Sequence, residues 1–364
     1  MKKKVVCMHE EDDGLLYKHV EYRNGHSESR RARELVLSTI VSVPCRGRGC
    51  SLCPYFQTVA HLACSFPLYY HIDRRNQFQC TVVNYEYLFY IRLKLNGSID
   101  FEIRLTGELS TNTPSAGEDP KNPDHGVLAA PDVNSQVHQH MFCARIDMNV
   151  DGEKNIVSEV DVETAPSSPT DNPYGNIFQT KVTPLTSEKE AVRMYDANKA
   201  RTWKITNAEG SVNPITKKPT AYKLVPFTRG AAGPALLTHP EDCNVSHKSK
   251  FATAHLWVTK YDEKERYPAG EYPTQATMER IKSEGGLPTW IAKRNADLSE
   301  GTDIVLWHCF GVTHIPRVED FPIMPCEMTG FTLKPDGFLS GNPAIDLPPE
   351  TNKTSKLNEG CCSK

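Results

Sequence analysis

Strict alternation is the feature that most constrains this chain. Phe89, Ile91, Leu93 and Leu95 alternate with more polar neighbours, and Ile99, Phe101, Ile103 and Leu105 repeat the pattern after Asn96-Gly97. Successive side chains on a strand point to opposite faces, so a period of two over this length predicts two half-buried strands. A two-residue turn at Asn96-Gly97 would set Leu95 opposite Ser98 and Leu93 opposite Asp100, mixing the faces. A three-residue loop of Leu95, Asn96 and Gly97 instead pairs Leu93 with Ile99 and Ile91 with Phe101. It also puts Gly97 at the left-handed position that such loops need. The second register is expected.

Further strands are expected over 137–149, 158–163, 202–207, 253–258 and 303–312. Helical signals are few. Ser187 with Glu190 three residues on resembles a capping box that opens a short helix through Ala200. A second short helix is expected over 274–282, stopped by Gly285-Gly286. Stretches rich in Pro, Gly, Asn and Asp predict loops over 112–134 and 165–175, and the tail over 346–364 is polar and loose. Many strands, few helices and long polar loops describe an all-β-dominated chain, a large antiparallel β-sandwich over 1–345.

Composition excludes some functions. With 364 residues, 24% charged and 38% apolar, the chain holds a real core, and a net charge of -3 gives no reason to expect nucleic acid. No apolar run approaches the roughly 18 residues of a membrane span. Only Val5 to Met8 separate the basic start from the acidic run at Glu10 to Asp13, too short for a signal-peptide core. A soluble protein of the cytoplasm or peroxisome is expected rather than a secreted one. The ending Cys361-Cys362-Ser363-Lys364 is not a complete Ser-Lys-Leu signal, so the compartment stays open. The 12 cysteines are too scattered for a disulfide scaffold.

Two places are candidates for metal chemistry. His138-Gln139-His140 puts two imidazoles on one strand face, a natural half-site for copper, zinc or iron. With 13 histidines in the chain, chance alone gives ~0.5 such pairs, so the pair decides little by itself. A second apolar run, Trp307 to Pro316, holds His308 and His314. These are six residues apart and share a strand face, so parity does not choose between them.

At this point a resemblance enters. Thr81-Val82-Val83-Asn84-Tyr85-Glu86-Tyr87 resembles the Asn-Tyr-(Asp/Glu)-Tyr signature of copper amine oxidases, whose first tyrosine becomes topaquinone. Leu105-Thr106-Gly107, the histidine pair, Arg145-Ile146-Asp147-Met148, Thr313-His314-Ile315-Pro316 and Glu319-Asp320-Phe321-Pro322-Ile323-Met324-Pro325 follow in the family's order. His9-Glu10-Glu11-Asp12 and Arg30-Arg31-Ala32-Arg33 fit upstream. The resemblance implies copper(II) on His138, His140 and His314, with His308 a neighbour, and Tyr85 as the topaquinone precursor that forms a Schiff base with the amine. Asn84, Glu86 and Tyr87 would stand beside the cofactor. Asp147 and Asp303, with the carbonyls of Met148 and Ile304, match a peripheral site whose hard oxygens suit calcium or another divalent cation. A homodimer is implied, with a primary amine and oxygen as partners and aldehyde, ammonia and hydrogen peroxide as products. A phenol near copper(II) has its ionised form stabilised and becomes oxidisable. The quinone then serves as electron sink once a carboxylate base takes the α-proton.

Two departures qualify the expectation. The family's catalytic aspartate lies upstream of the quinone, in a region absent here; Asp12 and Asp13 match the Cys7 to Asp12 motif instead. The partner of the cysteine at Cys7 is absent as well. Second, residues 44–83 are largely surplus to the family pattern. They hold Cys45, Cys50, Cys53, Cys64 and Cys80 with His61 and His71. Cys50-x-x-Cys53 is half a zinc site by spacing, but a translated intron or mispredicted exon accounts better for the irregular remainder. An impaired amine oxidase is therefore expected. The alternatives are a non-catalytic copper-binding β-sandwich and a structural or adhesive sandwich with incidental histidines.

Overall fold

The computed structural model describes residues 5–11, 14–20, 32–42, 59–63, 75–94, 96–114, 126–226, 235–237, 249–271 and 285–342. Its strands in chain order are β1 Val5–Glu11, β2 Gly14–Val20, β3 Ala32–Ser42, β4 Val59–Ala63, β5 Arg75–Val82, β6 Tyr85–Leu93, β7 Ile99–Glu108, β8 Thr111–Asn112 and β9 Gly126–Ala130. There follow β10 Val133–Gln136, β11 His138–Met148, β12 Asn155–Thr164, β13 Phe178–Pro184, β14 Thr202–Asn207, β15 Ala221–Pro226, β16 Leu256–Lys260, β17 Ile304–His314 and β18 Ile323–Asp336. One α-helix, α1 Leu287–Arg294, stands among the described residues.

Two large antiparallel sheets make the body. One has eight strands in the order β13-β12-β14-β15-β18-β7-β6-β5, and the other five, β16-β17-β11-β3-β4. Their inner faces share one core. Phe89 of β6 meets Phe142 of β11 edge-on, with ring centroids 6.3 Å apart, and Phe142 lies 5.7 Å from Phe310 of β17. The all-β sandwich expectation holds.

The β6–β7 hairpin adopts the expected register, Leu93 opposite Ile99 and Ile91 opposite Phe101. Lys94 and Ser98 close the loop through Lys94 N–H to the Ser98 carbonyl, 2.9 Å, and Gly97 takes φ +78°. A clear period of two and one glycine suffice to fix it.

Every residue of β11 is buried. Its even-numbered side chains join the inter-sheet core. Met141 and Cys143 enter a second cluster with Phe251, Trp257, Trp307 and two α1 residues, Leu287 and Ile291. A strand covered on both faces loses its polar alternation.

Three expectations need correction or placement. No helix forms over 187–200. The Glu190 amide does approach Ser187 Oγ, at 3.4 Å, but the Glu190 carboxylate turns to Thr186, and Arg193 bridges to Leu256, the first residue of β16. Tertiary pairing there overrides a weak local signal. The polar stretch 112–134 contains β9 and the start of β10, which build a small sheet, β8-β10-β9. The helix expected over 274–282 and the tail lie outside the described residues, as do Asp12, Asp13, Cys45, Cys50, Cys53, Cys64 and His71. Only strand backbone is described at His61.

Candidate active site

At one end of the inter-sheet layer the apolar stripes of three strands turn polar. On β6 the inward positions run Ile91, Phe89, Tyr87, Tyr85; on β11 Phe142, His140, His138; on β17 Phe310, Val312, His314. Parity alone dictates that these tyrosines and histidines face the same layer as the phenylalanines.

Register then chooses between the two β17 histidines. His314 stands directly opposite His138, whereas His308 stands opposite Ala144. Six residues of strand put it roughly 20 Å further along. His308 Nδ1 donates to the His255 carbonyl at 2.8 Å, and its ring stacks on Phe310, so it is a core residue. Burial pushes its pKa down to about 3, with the proximity of His255 adding to the effect and the carbonyl bond opposing it.

The remaining groups come together. Ring centroids of His138 lie 4.8 Å from His140 and 5.0 Å from His314, and the Tyr85 ring lies 4.7 Å from His140. His138 Nδ1 must donate to the Gln136 carbonyl, 2.8 Å away, because a carbonyl only accepts. Its Nε2 lone pair therefore accepts from the Tyr85 hydroxyl at 3.1 Å, and the Ser110 amide donates to that same phenol oxygen at 3.1 Å. Tyr87 hydroxyl meets His140 Nδ1 at 2.8 Å. His314 Nε2 donates to Asp320 Oδ2 at 3.0 Å.

What these bonds leave over is informative. His140 Nε2 and His314 Nδ1 are buried without a hydrogen-bond partner, a state that costs about 1–3 kcal/mol per group unless something occupies it. With His138 Nε2 they make three imidazole nitrogens in one buried place. Imidazole donors suit copper, zinc or iron. Among the described residues no three His, Cys, Asp or Glu side chains already stand in closed metal-binding geometry. His138 Nε2 is the one of the three that is engaged, by the Tyr85 hydroxyl. The donor set fits such an ion.

Electrostatics agree. Burial pushes the His138 pKa down to about 4, with the Gln136 bond opposing and His314 adding to the effect. Burial holds His140 well below its ordinary value too, helped by the other two imidazoles. Both are therefore neutral and ready to give lone pairs near pH 7. Burial pushes Tyr85 up to about 12 against the Ser110 amide, so its phenol stays protonated until a nearby cation reverses the balance. Burial likewise raises Tyr87, as do Tyr85 and Cys80 beside it. Burial would raise Asp320, but bonds from Arg317 and His314 outweigh it and hold the carboxyl below its usual range.

The other expected residues lie elsewhere. Asn84 sits in the turn before Tyr85, and its carbonyl accepts from Glu108 N–H at 2.8 Å. Glu86 points away, bound to Gln79 and Thr81. Asp147 and Met148 end β11, while Asp303 precedes Ile304 at the start of β17. That is the opposite end of the strand pair, roughly 30 Å from His138.

The chain matches the model of the copper amine oxidase enzyme domain over residues 1–44 and 76–354. The chain belongs to the copper amine oxidase family. It is 39% identical to a primary amine oxidase of Arthrobacter sp. (strain P1) over 357 residues, 98% of this chain and 46% of the relative. It is 38% identical to a peroxisomal copper-containing diamine oxidase of Nicotiana tabacum, covering 94% of this chain and 37% of that protein. The crystal structure of a copper-containing benzylamine oxidase from Hansenula polymorpha superposes with a TM-score of 0.66 at 30% identity, over 95% of this chain and 48% of that one. The chain thus spans less than half the length of these copper amine oxidases. The interruption of the family match, residues 45–75, falls inside the stretch 44–83. The last strand of that stretch, β5, pairs with β6, and its Phe78 stacks on Phe89 with centroids 4.4 Å apart.

Sequence reading missed the partners that orient the site: the Ser110 amide, the Gln136 carbonyl and the Asp320 carboxylate. The first two are backbone groups and leave no trace in residue identity. Asp320 stood in a recognised motif, yet nothing in one sequence tied it to His314.

Proposed function

We propose that this chain carries the copper- and quinone-bearing part of a primary-amine oxidase, which converts a primary amine, oxygen and water to aldehyde, ammonia and hydrogen peroxide. In this reading His138 Nε2, His140 Nε2 and His314 Nδ1 hold copper(II), and Tyr85 is the precursor of topaquinone. The observation that carries it is the Tyr85 hydroxyl 3.1 Å from His138 Nε2, beside two buried imidazole nitrogens that lack partners.

Each residue's part follows from its bonds. Copper, when bound, would stabilise the ionised phenol and pass electrons to oxygen, and the quinone would accept the electrons of the amine. The Gln136 carbonyl fixes His138 with its Nε2 lone pair directed at the site, where it would serve as a copper ligand, and the Ser110 amide would stabilise negative charge on the Tyr85 oxygen. Tyr87 holds His140 with Nε2 turned inward, its oxygen accepting from Nδ1–H. Burial by the sheets excludes bulk water from the phenol.

Among the described residues, the Tyr85 hydroxyl hydrogen-bonds with His138 Nε2 and the Ser110 amide, neither of them a carboxylate base. We propose further that this chain turns over amine poorly; robust peroxide production from the purified protein would refute that. A copper-binding sandwich without turnover is the second reading, and the same observation favours it.

Asp147 and Asp303 with the Met148 and Ile304 carbonyls are proposed to hold calcium or a similar cation. Homodimerisation is supported by the exposed edge strand β13, where Phe178 and Val182 stand uncovered with Ile177 beside them, a surface that folded chains normally pair or cover. No helix among the described residues is long and apolar enough to cross a membrane. Most of the stretch 44–83, in particular the part that the family match passes over, residues 45–75, is proposed to be extraneous to the catalytic domain.

The test is reconstitution. Metal-free protein receives copper without oxygen, then air. One copper per chain, followed by a visible quinone band that a carbonyl reagent shifts, supports the reading. Copper without the band favours the second reading, and no copper sinks both.

A further inference from the structure

Beyond β17 the chain turns through Ile315 and Pro316 into a short 3-10 turn, Val318–Asp320. This turn returns a carboxylate to the histidine six residues before it. Asp320 Oδ2 accepts from His314 Nε2 at 3.0 Å and from the Arg317 amide at 2.9 Å. The Arg317 guanidinium donates to Oδ1 at 2.8 Å. The Asp320 side chain is 3% exposed and that of Arg317 61% exposed. One end of this chain of contacts is at the surface, and the other is an imidazole whose free nitrogen faces the candidate copper position.

We propose that Arg317 is a positioning residue for that site: by gripping both oxygens of Asp320 it fixes the plane of the carboxylate, and through it the rotation and tautomer of His314. A carboxylate held at one oxygen can pivot; one held at both cannot. A carboxylate accepts only, so Nε2 of His314 carries the proton and Nδ1 keeps its lone pair. A lysine at 317 offers a point charge without the planar fork and reproduces only part of the grip. The inference rests on the copper reading above and deepens it.

The experiment is a double-mutant cycle read by copper affinity, from competition with a chelator, and by the copper(II) electron paramagnetic resonance spectrum. Losing an outer partner of a ligating histidine costs on the order of 10–100-fold in metal affinity, and Asp320→Ala is expected in that range. Arg317→Ala keeps its amide bond to Asp320 and should lose roughly 3–10-fold, with an altered hyperfine splitting, and Arg317→Lys should fall between it and wild type. Arg317 acts only through Asp320, so the double variant should match Asp320→Ala within about 2-fold. Thermal unfolding of the metal-free variants separates loss of fold from loss of grip. Arg317→Ala with wild-type affinity and spectrum, or a double variant whose losses multiply, overturns the proposal while leaving the copper reading intact. Wild-type protein that binds no copper overturns both.

Discussion

Replacing Gly311 with alanine tests whether the spacing of β11 and β17 sets the site. Gly311 lies opposite Met141, one residue from His140 on one strand and three from His314 on the other. A Cβ there would stand 2.1 Å from the His140 carbonyl oxygen and 2.9 Å from Met141 Sδ. Carbon and oxygen settle no closer than about 3.3 Å, so the strands must part locally by about 1 Å. Inserting one methyl group into so tight a contact costs about 1–3 kcal/mol. The functional loss should be larger in proportion, because a constellation of ligands tolerates only about 0.5 Å of displacement. Denaturant titration should show a lower midpoint at unchanged slope, and copper competition an affinity reduced at least ~10-fold. Gly341, which has nothing within 4 Å of its Cβ position, is the control, and Gly341→Ala should stay within about 0.5 kcal/mol of wild type. Should Gly311→Ala keep both the stability and the copper affinity of wild type, strand spacing is not what places His140 and His314.

Tyr85→Phe removes the precursor hydroxyl but no imidazole, so it should bind copper and never develop the visible band; a band in this variant excludes Tyr85 as the precursor. Tyr87→Phe leaves His140 Nδ1 without its buried partner and should cost about 1–3 kcal/mol with a measurable loss of copper affinity; unchanged copper binding would mean that packing alone orients His140. His308 supplies the pH prediction. Its folded-state pKa is depressed to about 3 from an ordinary 6.5, so between those values the unfolded chain binds the extra proton. Stability is then full above pH ~6.5 and falls as pH drops towards 3, by up to about 5 kcal/mol from this one group. His308→Asn should flatten that acid slope in the metal-free protein, where His138 and His140 contribute alike to both variants; an identical slope refutes the assignment.

How much of this was legible in the sequence varies with how local the deciding force is. The β6–β7 register was legible because alternation and the Gly97 turn act within about 20 residues. β14 likewise appears at its expected residues, 202–207. The helix expected from Ser187 and Glu190 failed because its competitor, the pairing of Arg193 with Leu256, lies 63 positions away. The choice between His308 and His314 was invisible for a similar reason. Both have the right parity, and only the β11–β17 register, a contact between residues more than 160 apart, separates them.

The same reasoning bears on the interruption upstream of Tyr85. A strand's register fixes which side chains face the core, and a slip of one residue would turn Tyr85 and Tyr87 outward. β6 has two neighbours that could set it. On one side β7 follows through a three-residue loop and pairs along the whole strand, from Tyr85 opposite Gly107 to Leu93 opposite Ile99. There a Cβ on Gly107 would come within 2.9 Å of the Tyr85 Cα, so the two backbones approach as closely as glycine allows. On the other side β5 is the sheet's edge, joined to β6 by the turn at Val83 and Asn84. Register imposed by β7 does not depend on what precedes β5, and loop-closure cost grows only slowly with inserted length. Residues 45–75 can therefore interrupt the family pattern without moving Tyr85 from the face that meets His138.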